Sequence, residues 1–217
     1  MTASRSLAEP YDDFDQQRES ATLGMWLFLA AEIVFFGAII VCFSYYRSVY
    51  PRDFAGASNH TKVVLGTVNT GVLLTSSLLV ALAVREARRE RRRRTALYFF
   101  ATAVLGCAFL AIKFTEYHAE YEEHLLPGRG FRIEGVDAGR GQLFFIFYFV
   151  MTGMHALHVL IGIGLLSLMA GKALSGEFSR DNYNAIEVSG LYWHFVDVVW
   201  IFLFPLLYLL GRHVAHG

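Results

Sequence analysis

The feature that most limits how this chain can fold is a set of five apolar runs. Each run is long enough to cross a lipid bilayer as a helix. A helix needs about 20 apolar residues to cross the roughly 30 Å hydrocarbon layer of a bilayer. Hydrophobic residues make up 55% of the sequence and charged residues only 18%, whereas charged residues average about 25% in soluble domains. The sequence therefore predicts an all-α, polytopic membrane protein with a bundle of five transmembrane helices. The predicted spans are residues 21–46, 62–84, 95–116, 141–170 and 188–210.

The charged residues indicate how these spans are oriented. The linker between the second and third spans, REARRERRRR over residues 85–94, contains seven arginines, and short basic loops stay on the cytoplasmic side. With an odd number of spans, this predicts a cytoplasmic N-terminus and an outer C-terminus. We expect residues 1–20 to form a polar cytoplasmic segment without signal-peptide character, and residues 21–217 to form a single transmembrane domain. The alternative use of the arginine run is contact with anionic lipid or with a partner subunit.

Several ionisable residues lie inside the predicted spans, where a charge is costly and is usually paired or functional. From the 1.5 Å rise per residue, Glu32 of span one and His158 of span four lie about 16 and 18 Å from the inner surface. We therefore expect Glu32 to pair with His158, or with His155 one turn away. In span five, His194 and Asp197 are three residues apart and are expected to contact each other on one helix.

Another polar group lies at the outer end of span three. Lys113 and Glu116 are also three residues apart and are expected to pair. The stretch that contains Glu116, TEYHAEYEEH, holds four glutamates and two histidines. It is expected to form a solvated helix surface that continues span three. The alternative is a metal site, because carboxylates and imidazoles are metal ligands.

The intramembrane histidines raise two functional alternatives. One is haem ligation, because imidazole binds iron and membrane haems lie within helical bundles. However, His155 and His194 differ in depth by about 13 Å, which is too far to share one iron, and His155 and His158 are on the same helix. The other is proton-coupled transport centred on Glu32, but transporters commonly contain internal repeats and broken helices, and neither is evident. Structural hydrogen bonding is therefore the expected role of these histidines.

Other catalytic motifs are absent from the sequence. It contains no glycine-rich phosphate loop, nucleophile elbow or HExxH zinc motif. Cys42 and Cys107 lie far apart in apolar segments, without a CxxC spacing, and are expected to be buried, unpaired side chains.

Five sequence segments together resemble subunit III of the haem–copper cytochrome c oxidases. In chain order they are LGMWLFLAAEIVFFGA, VNTGVLLTSS, KFTEYHAEY, GMHALHVLIG and YWHFVDVVWIFLF. They resemble the family's glutamate-bearing helix, the start of its next helix, its Lys/Gln-x-x-Glu-Tyr element, its His-x-x-His helix and its C-terminal signature. The resemblance extends over residues 20–211. The chain resembles the short bacterial form of the family, which has five helices rather than seven.

The resemblance implies a subunit that has no catalytic centre and no cofactor or metal site of its own, because the haems and copper belong to partner subunits. It implies direct packing on subunit I, association with subunit II and other respiratory complexes, bound phospholipid, and no nucleic-acid partner. The expected location is the bacterial cytoplasmic membrane. The expected role is to support proton uptake and sustained turnover while the complex reduces oxygen and translocates protons. Alternatives are subunit III of a quinol oxidase and an accessory subunit of nitric oxide reductase.

The same resemblance implies roles for individual residues. Five are expected to be polar, proton-linked positions inside the membrane: Glu32, His155, His158, His194 and Asp197. Lys113 and Glu116 fall in the outer boundary element. Lys172, near the inner end of span four, is expected to contact a phospholipid headgroup. Trp193 and Trp200 are expected to provide aromatic surface for helix packing.

Overall fold

The computed structural model describes residues 14–176 and 184–209, and its regular elements in these ranges are all helices. They are α1 Phe14–Val49, α2 Pro51–Ser58, α3 Val63–Arg88, α4 Arg92–Glu122, α5 Ala138–Ser175, α6 Asn184–Phe204 and a π-helical turn, Pro205–Leu209. Five of the described helices are long and apolar enough to cross a membrane: α1, α3, α4, α5, and α6 together with the π-helical turn. The predicted all-α fold with five membrane helices is therefore confirmed.

The helices extend beyond the predicted spans. α1 begins at Phe14, so the end of the predicted polar segment is helical, and the short helix α2 was not predicted. The difference arises because an apolar run marks only the part of a helix that lies in hydrocarbon, whereas hydrogen bonding continues into the polar flanks. Residues 1–13 and 210–217, which include the end of predicted span five, lie outside the described residues, as do residues 177–183.

Four of the membrane helices form a closed ring. α3 packs against α4, α4 against α5, α5 against α6, and α6 against α3. α1 lies outside this ring and packs against α5 and α6, and α2 packs on α5. Glu32, the ionisable residue in the membrane-spanning part of α1, therefore faces the α5–α6 side of the ring.

Large aromatic side chains fill the interior of the bundle. The fully buried aromatic residues are Phe43, Phe54, Phe99, Phe109, Phe144, Phe145, Tyr148, Trp193, Trp200 and Tyr208. Many other large apolar side chains, aromatic ones among them, point outward instead, as expected where lipid rather than water surrounds a helix. Cys42 and Cys107 are also on the outside of the bundle, so the prediction that both are buried was wrong. An apolar segment cannot by itself distinguish a core position from a lipid-facing one.

The arginine run forms the tight turn between α3 and α4. Glu86, in the last turn of α3, is buried and lies 3.2 Å from Arg91, 3.5 Å from Arg89 and 3.8 Å from Arg94. Glu90 takes a positive φ of 58° where the chain reverses. The arginines therefore surround one buried carboxylate, in addition to the topological role that the sequence predicts for them.

Side-chain and backbone signals define the ends of α5, the longest described helix. The Asp137 side chain accepts a hydrogen bond from the backbone N–H of Arg140 at 3.0 Å, which is the pattern of an N-cap. At the other end Gly176 adopts a left-handed conformation with φ 80°, which glycine takes without steric cost. α5 is thus long enough to carry Tyr148, His155 and His158 through the centre of the bundle.

Candidate functional site

Glu32 and His158 lie together between α1 and α5. The Glu32 Oε2 and His158 Nε2 atoms are 3.2 Å apart, and both side chains are mostly buried. Of the two partners that the sequence suggested for Glu32, the structure therefore selects His158. It is one of the polar contacts that link the outlying helix α1 to the four-helix ring, together with the one between Thr22 of α1 and Asn184 of α6.

The second nitrogen of His158 limits the protonation states of this pair. His158 Nδ1 lies 2.8 Å from the backbone carbonyl oxygen of Met154. Because a carbonyl only accepts hydrogen bonds, Nδ1 must carry a hydrogen. A hydrogen bond between the two side chains then needs one further proton, either on Nε2 beside an ionised Glu32 or on Glu32 beside an unprotonated Nε2. In either state the pair holds one proton and has no net charge, which lowers the cost of placing it in the membrane.

His155 lies one turn away in a different environment. Its ring packs against Trp200, with centroids 5.1 Å apart, and meets Phe109 edge-on at 5.5 Å. The side chain is buried, and neither ring nitrogen has a hydrogen-bond partner among the described residues. His155 is thus part of the aromatic core in this structure and is not the partner of Glu32.

The predicted contact between His194 and Asp197 is not formed. His194 Nδ1 lies 2.7 Å from the Ser77 hydroxyl of α3. Asp197 is buried, and neither of its carboxyl oxygens has a hydrogen-bond partner within residues 14–176 and 184–209. Three-residue spacing permits contact on one helix, but α3 offers His194 a hydroxyl in direct reach, and this interhelical bond replaces the expected local one.

Both tryptophans of α6 donate hydrogen bonds to α3. The indole Nε1 of Trp193 donates to the Ser76 hydroxyl at 2.9 Å, and that of Trp200 donates to the Thr70 hydroxyl at 3.0 Å. Both rings are fully buried. Each tryptophan therefore combines a large packing surface with one directional bond, which fixes the rotation and height of α6 against α3.

Two glycines make room for the Trp193 ring, because glycine has no side chain. A Cβ atom added at Gly162 of α5 would lie 2.7 Å from ring atoms of Trp193, and one added at Gly106 of α4 would lie 2.9 Å from the ring. The indole is thus held between two helix backbones. Trp193 joins α3, α4, α5 and α6 at one point, since it also bonds to Ser76 of α3.

Lys113 is at the centre of a buried polar cluster near the other end of the ring from the arginine turn. Its Nζ atom donates to Glu116 Oε2 at 2.9 Å, to the Tyr148 hydroxyl at 3.0 Å and to the Tyr208 hydroxyl at 2.8 Å. Tyr208 reaches this position from the π-helical turn, which begins at Pro205. Proline has no backbone N–H, so the regular α-helical ladder is interrupted there.

The acidic stretch that follows Lys113 continues α4 as a helix, as predicted, but it is solvated on one face only. Glu116 and Glu120 are both 0% exposed, while His118 and Glu122 on the opposite side are well exposed. The burial of Glu120 was not predicted. A signal was present, because positions 113, 116 and 120 share one helical face.

Lys172, the last of the predicted positions, and a groove lie at the end of the bundle away from the Lys113 cluster. Lys172 is exposed in the last turn of α5. A groove of about 540 Å³ runs between α3 and α6. Its residues are Ala81, Val84, Arg85, Arg88, Glu187, Gly190, Leu191 and His194. Arg88 and Glu187 form an ion pair of 2.5 Å there.

Metal ligation was the alternative for the acidic stretch and the histidines. Within the described ranges, no group of three or more His, Cys, Asp or Glu side chains is arranged to hold a metal ion. His155 packs in the aromatic core, His158 faces Glu32 and His194 faces Ser77. These three histidines therefore point to three separate sites.

The sequence model of the family described as "Cytochrome c oxidase subunit III" matches residues 14–212 of this chain. The chain belongs to the cytochrome c oxidase subunit III family. The matched range contains all ten residues that the sequence analysis singled out. The Glu32–His158 pair and the Lys113 cluster are thus features of a subunit III chain.

Relatives that share this subunit III sequence have three different names. Cytochrome c oxidase subunit 3 of Synechocystis sp. is 35% identical over 86% of this chain and 74% of its own length. Quinol oxidase subunit 3 of Bacillus spizizenii is 33% identical over 87% of this chain and 86% of its own. The haem–copper oxidase subunit I+III of Aeropyrum pernix is 32% identical over 85% of this chain and 22% of its own.

Proposed function

We propose that this subunit III chain is a non-catalytic subunit of a bacterial cytochrome c oxidase, that it packs directly on subunit I, and that the haems and copper are held by partner subunits. One observation carries the proposal: in the Aeropyrum pernix relative, a subunit I+III chain, the matched region is about a fifth of a longer chain. Fusion into one chain is compatible with subunits that stay side by side. Subunit II and other respiratory complexes are the further partners that we propose, in the cytoplasmic membrane.

The interior of the bundle supports a structural rather than a catalytic role for the histidines. His158 is engaged by Glu32 and the Met154 carbonyl, and His194 by Ser77. A haem held between two histidines needs imidazole nitrogens that face each other across the iron, whereas His155, His158 and His194 point to three separate sites. The directions of these side chains favour packing and proton-linked roles instead.

The proposal is tested by purifying the complex through a tag on this chain in mild detergent. We expect a haem–copper subunit I in stoichiometric amount, and a reduced-minus-oxidised spectrum of its haems. Oxygen consumption with reduced cytochrome c, compared with a quinol, then identifies the electron donor; faster turnover with quinol would favour the quinol oxidase alternative. Recovery of this chain alone, with a haem spectrum of its own, would overturn the proposal.

Phospholipid binding is a further part of the proposed function. Lys172 is exposed at the end of α5, where a lysine can reach a lipid phosphate while its methylene groups stay in apolar surroundings. The α3–α6 groove presents Arg85 beside apolar walls, next to the Arg88–Glu187 ion pair, and offers a second position for an anionic headgroup. Phospholipid extracted from the purified complex can be measured in the same preparation, with Lys172→Gln as the test variant.

Replacing Glu32 with alanine is expected to shorten the period of sustained turnover of the complex. The substitution removes the proton that Glu32 and His158 hold between them and the contact between α1 and the ring. Oxygen consumption should begin near the wild-type rate and then decline faster. His158→Ala should have the same effect, and the double variant should add little, because both single changes break one pair.

Glu19→Ala is the matched control for this experiment, since Glu19 is exposed on the same helix. Subunit composition is checked on gels in parallel, so that loss of the subunit is distinguished from loss of the pair. Sustained wild-type turnover in Glu32→Ala complexes of full composition would contradict the proton-linked role of Glu32.

A further inference from the structure

The Lys113 cluster contains a second buried carboxyl group that lacks a partner. Lys113, Glu116 and Glu120 lie on successive turns of one face of α4, and all three are almost completely buried. Glu116 accepts from Lys113 at Oε2 and from the Tyr148 hydroxyl at Oε1. Both oxygens of Glu120 are without a hydrogen-bond partner among the described residues. A buried polar group without a partner requires an explanation, because nearly all such groups are satisfied.

The donors of the cluster are already used. A lysine ammonium has three N–H donors, and those of Lys113 go to Glu116, Tyr148 and Tyr208. Tyr148 also lies near Glu120, but its single hydroxyl proton is directed to Glu116 at 2.9 Å. The Tyr208 hydroxyl lies 3.1 Å from that of Tyr148 and can donate to it. No proton from these three side chains is left for Glu120.

The other groups around Glu120 do not supply a charge partner. On α4, the Tyr117 hydroxyl lies 2.6 Å from the Thr152 hydroxyl of α5. Glu123 is at the surface, where it pairs with Lys62 at the start of α3. The ring of His155 of α5 packs against Phe109 and Trp200. Lys113 is therefore the one cation that the described residues place within the cluster.

The charge count follows from these contacts. One lysine can neutralise one carboxylate, but the cluster holds two carboxyl groups in a space closed to solvent. Two ionised carboxylates would leave a net negative charge buried, which is strongly unfavourable. Two carboxyl groups that share one site commonly hold one proton between them for this reason.

We propose that Glu116 and Glu120 form a buried proton-binding site, in which one exchangeable proton is held by the two carboxyl groups and the remaining negative charge is neutralised by Lys113. Glu120 carries the proton in the observed arrangement, since Glu116 receives the hydrogen bonds of Lys113 and Tyr148. The site is separate from the Glu32–His158 pair, which lies between α1 and α5. A negative result for this proton-binding site would therefore leave the proposed function of the subunit unaffected.

Infrared spectroscopy of the full chain in lipid nanodiscs at neutral pH tests this proposal. A protonated carboxyl group has a C=O stretching band that a carboxylate lacks, and the band shifts to lower frequency in D₂O if the proton exchanges. Subtracting the E120Q spectrum from the wild-type spectrum should give one such band. E116Q should also remove this band, because Glu120 then becomes the single carboxylate partner of Lys113.

The behaviour of E116Q distinguishes a shared proton from two independent groups. If the band persists in E116Q, Glu120 binds its proton independently and the proposed sharing is wrong. If the E120Q difference spectrum contains carboxylate bands instead of a C=O band, Glu120 is ionised, with water or a cation as its partner, and the proposal is overturned. The E120Q comparison decides this second point even if E116Q does not fold. E122Q is the matched control, because Glu122 is exposed on the same helix, and it should leave the C=O region unchanged.

Discussion

Replacing Gly162 with alanine is expected to destabilise the bundle by about 1–3 kcal/mol, the usual cost of forcing an extra carbon into a packed core. The new Cβ atom would lie 2.7 Å from the Trp193 ring. The ring cannot move aside easily, because Gly106 also lies close to it and its Nε1 atom is bonded to Ser76. Unfolding in mixed micelles titrated with a denaturing detergent, followed by circular dichroism, measures the loss.

Gly164→Ala is the control for this experiment. Gly164 is on the same helix two residues away, and an added Cβ atom would meet nothing within 4 Å. Alanine in a helix interior is favoured over glycine by about 0.5–1 kcal/mol, so this variant should be as stable as the wild type or slightly more stable. Adding Trp193→Phe to Gly162→Ala should recover part of the loss, since the smaller ring leaves room. Equal stability of the Gly162 and Gly164 variants would show that Trp193 is not confined as described.

Replacing Lys113 with methionine is expected to cost about 3–5 kcal/mol of stability, the range found when one partner of a buried ion pair is removed. Methionine keeps most of the volume but donates no hydrogen bond. It would leave Glu116 without its cation, and would remove a donor from both Tyr148 and Tyr208. The same unfolding titration measures the effect.

Lys62→Met provides the comparison at the surface. Lys62 pairs with Glu123, and both side chains are more than a third exposed. Exposed pairs contribute about 0–1 kcal/mol, so this variant should unfold almost as the wild type does. Combining Lys113→Met with Glu116→Gln should restore part of the stability, because no unpaired carboxylate is then left. Similar losses at Lys62 and Lys113 would contradict the claim that burial makes the Lys113 pair important.

The features that the sequence predicts well are those that depend on length or on one helix. The hydrocarbon layer demands about 20 apolar residues per crossing, and this requirement alone identified the five membrane helices. Lys113 and Glu116 could be paired because three-residue spacing brings them together on the same helix, and the observed 2.9 Å contact is local. The depth of Glu32 and His158 could also be read from the rise per residue, which is the same in every α-helix.

Tertiary structure decided which way each side chain points around its helix. Depth does not distinguish His155 from His158, and only the position of α1 against α5 selects His158 for Glu32. His194 bonds to Ser77 rather than reaching Asp197 because α3 lies beside that face of α6. Glu120 is buried because α4 packs against α5, whereas its acidic neighbours suggest a solvated surface. The sequence thus determined the number of membrane helices and the depth of their polar residues. Helix packing determined the partners of those residues, because rotation and neighbours depend on contacts between residues far apart in the chain.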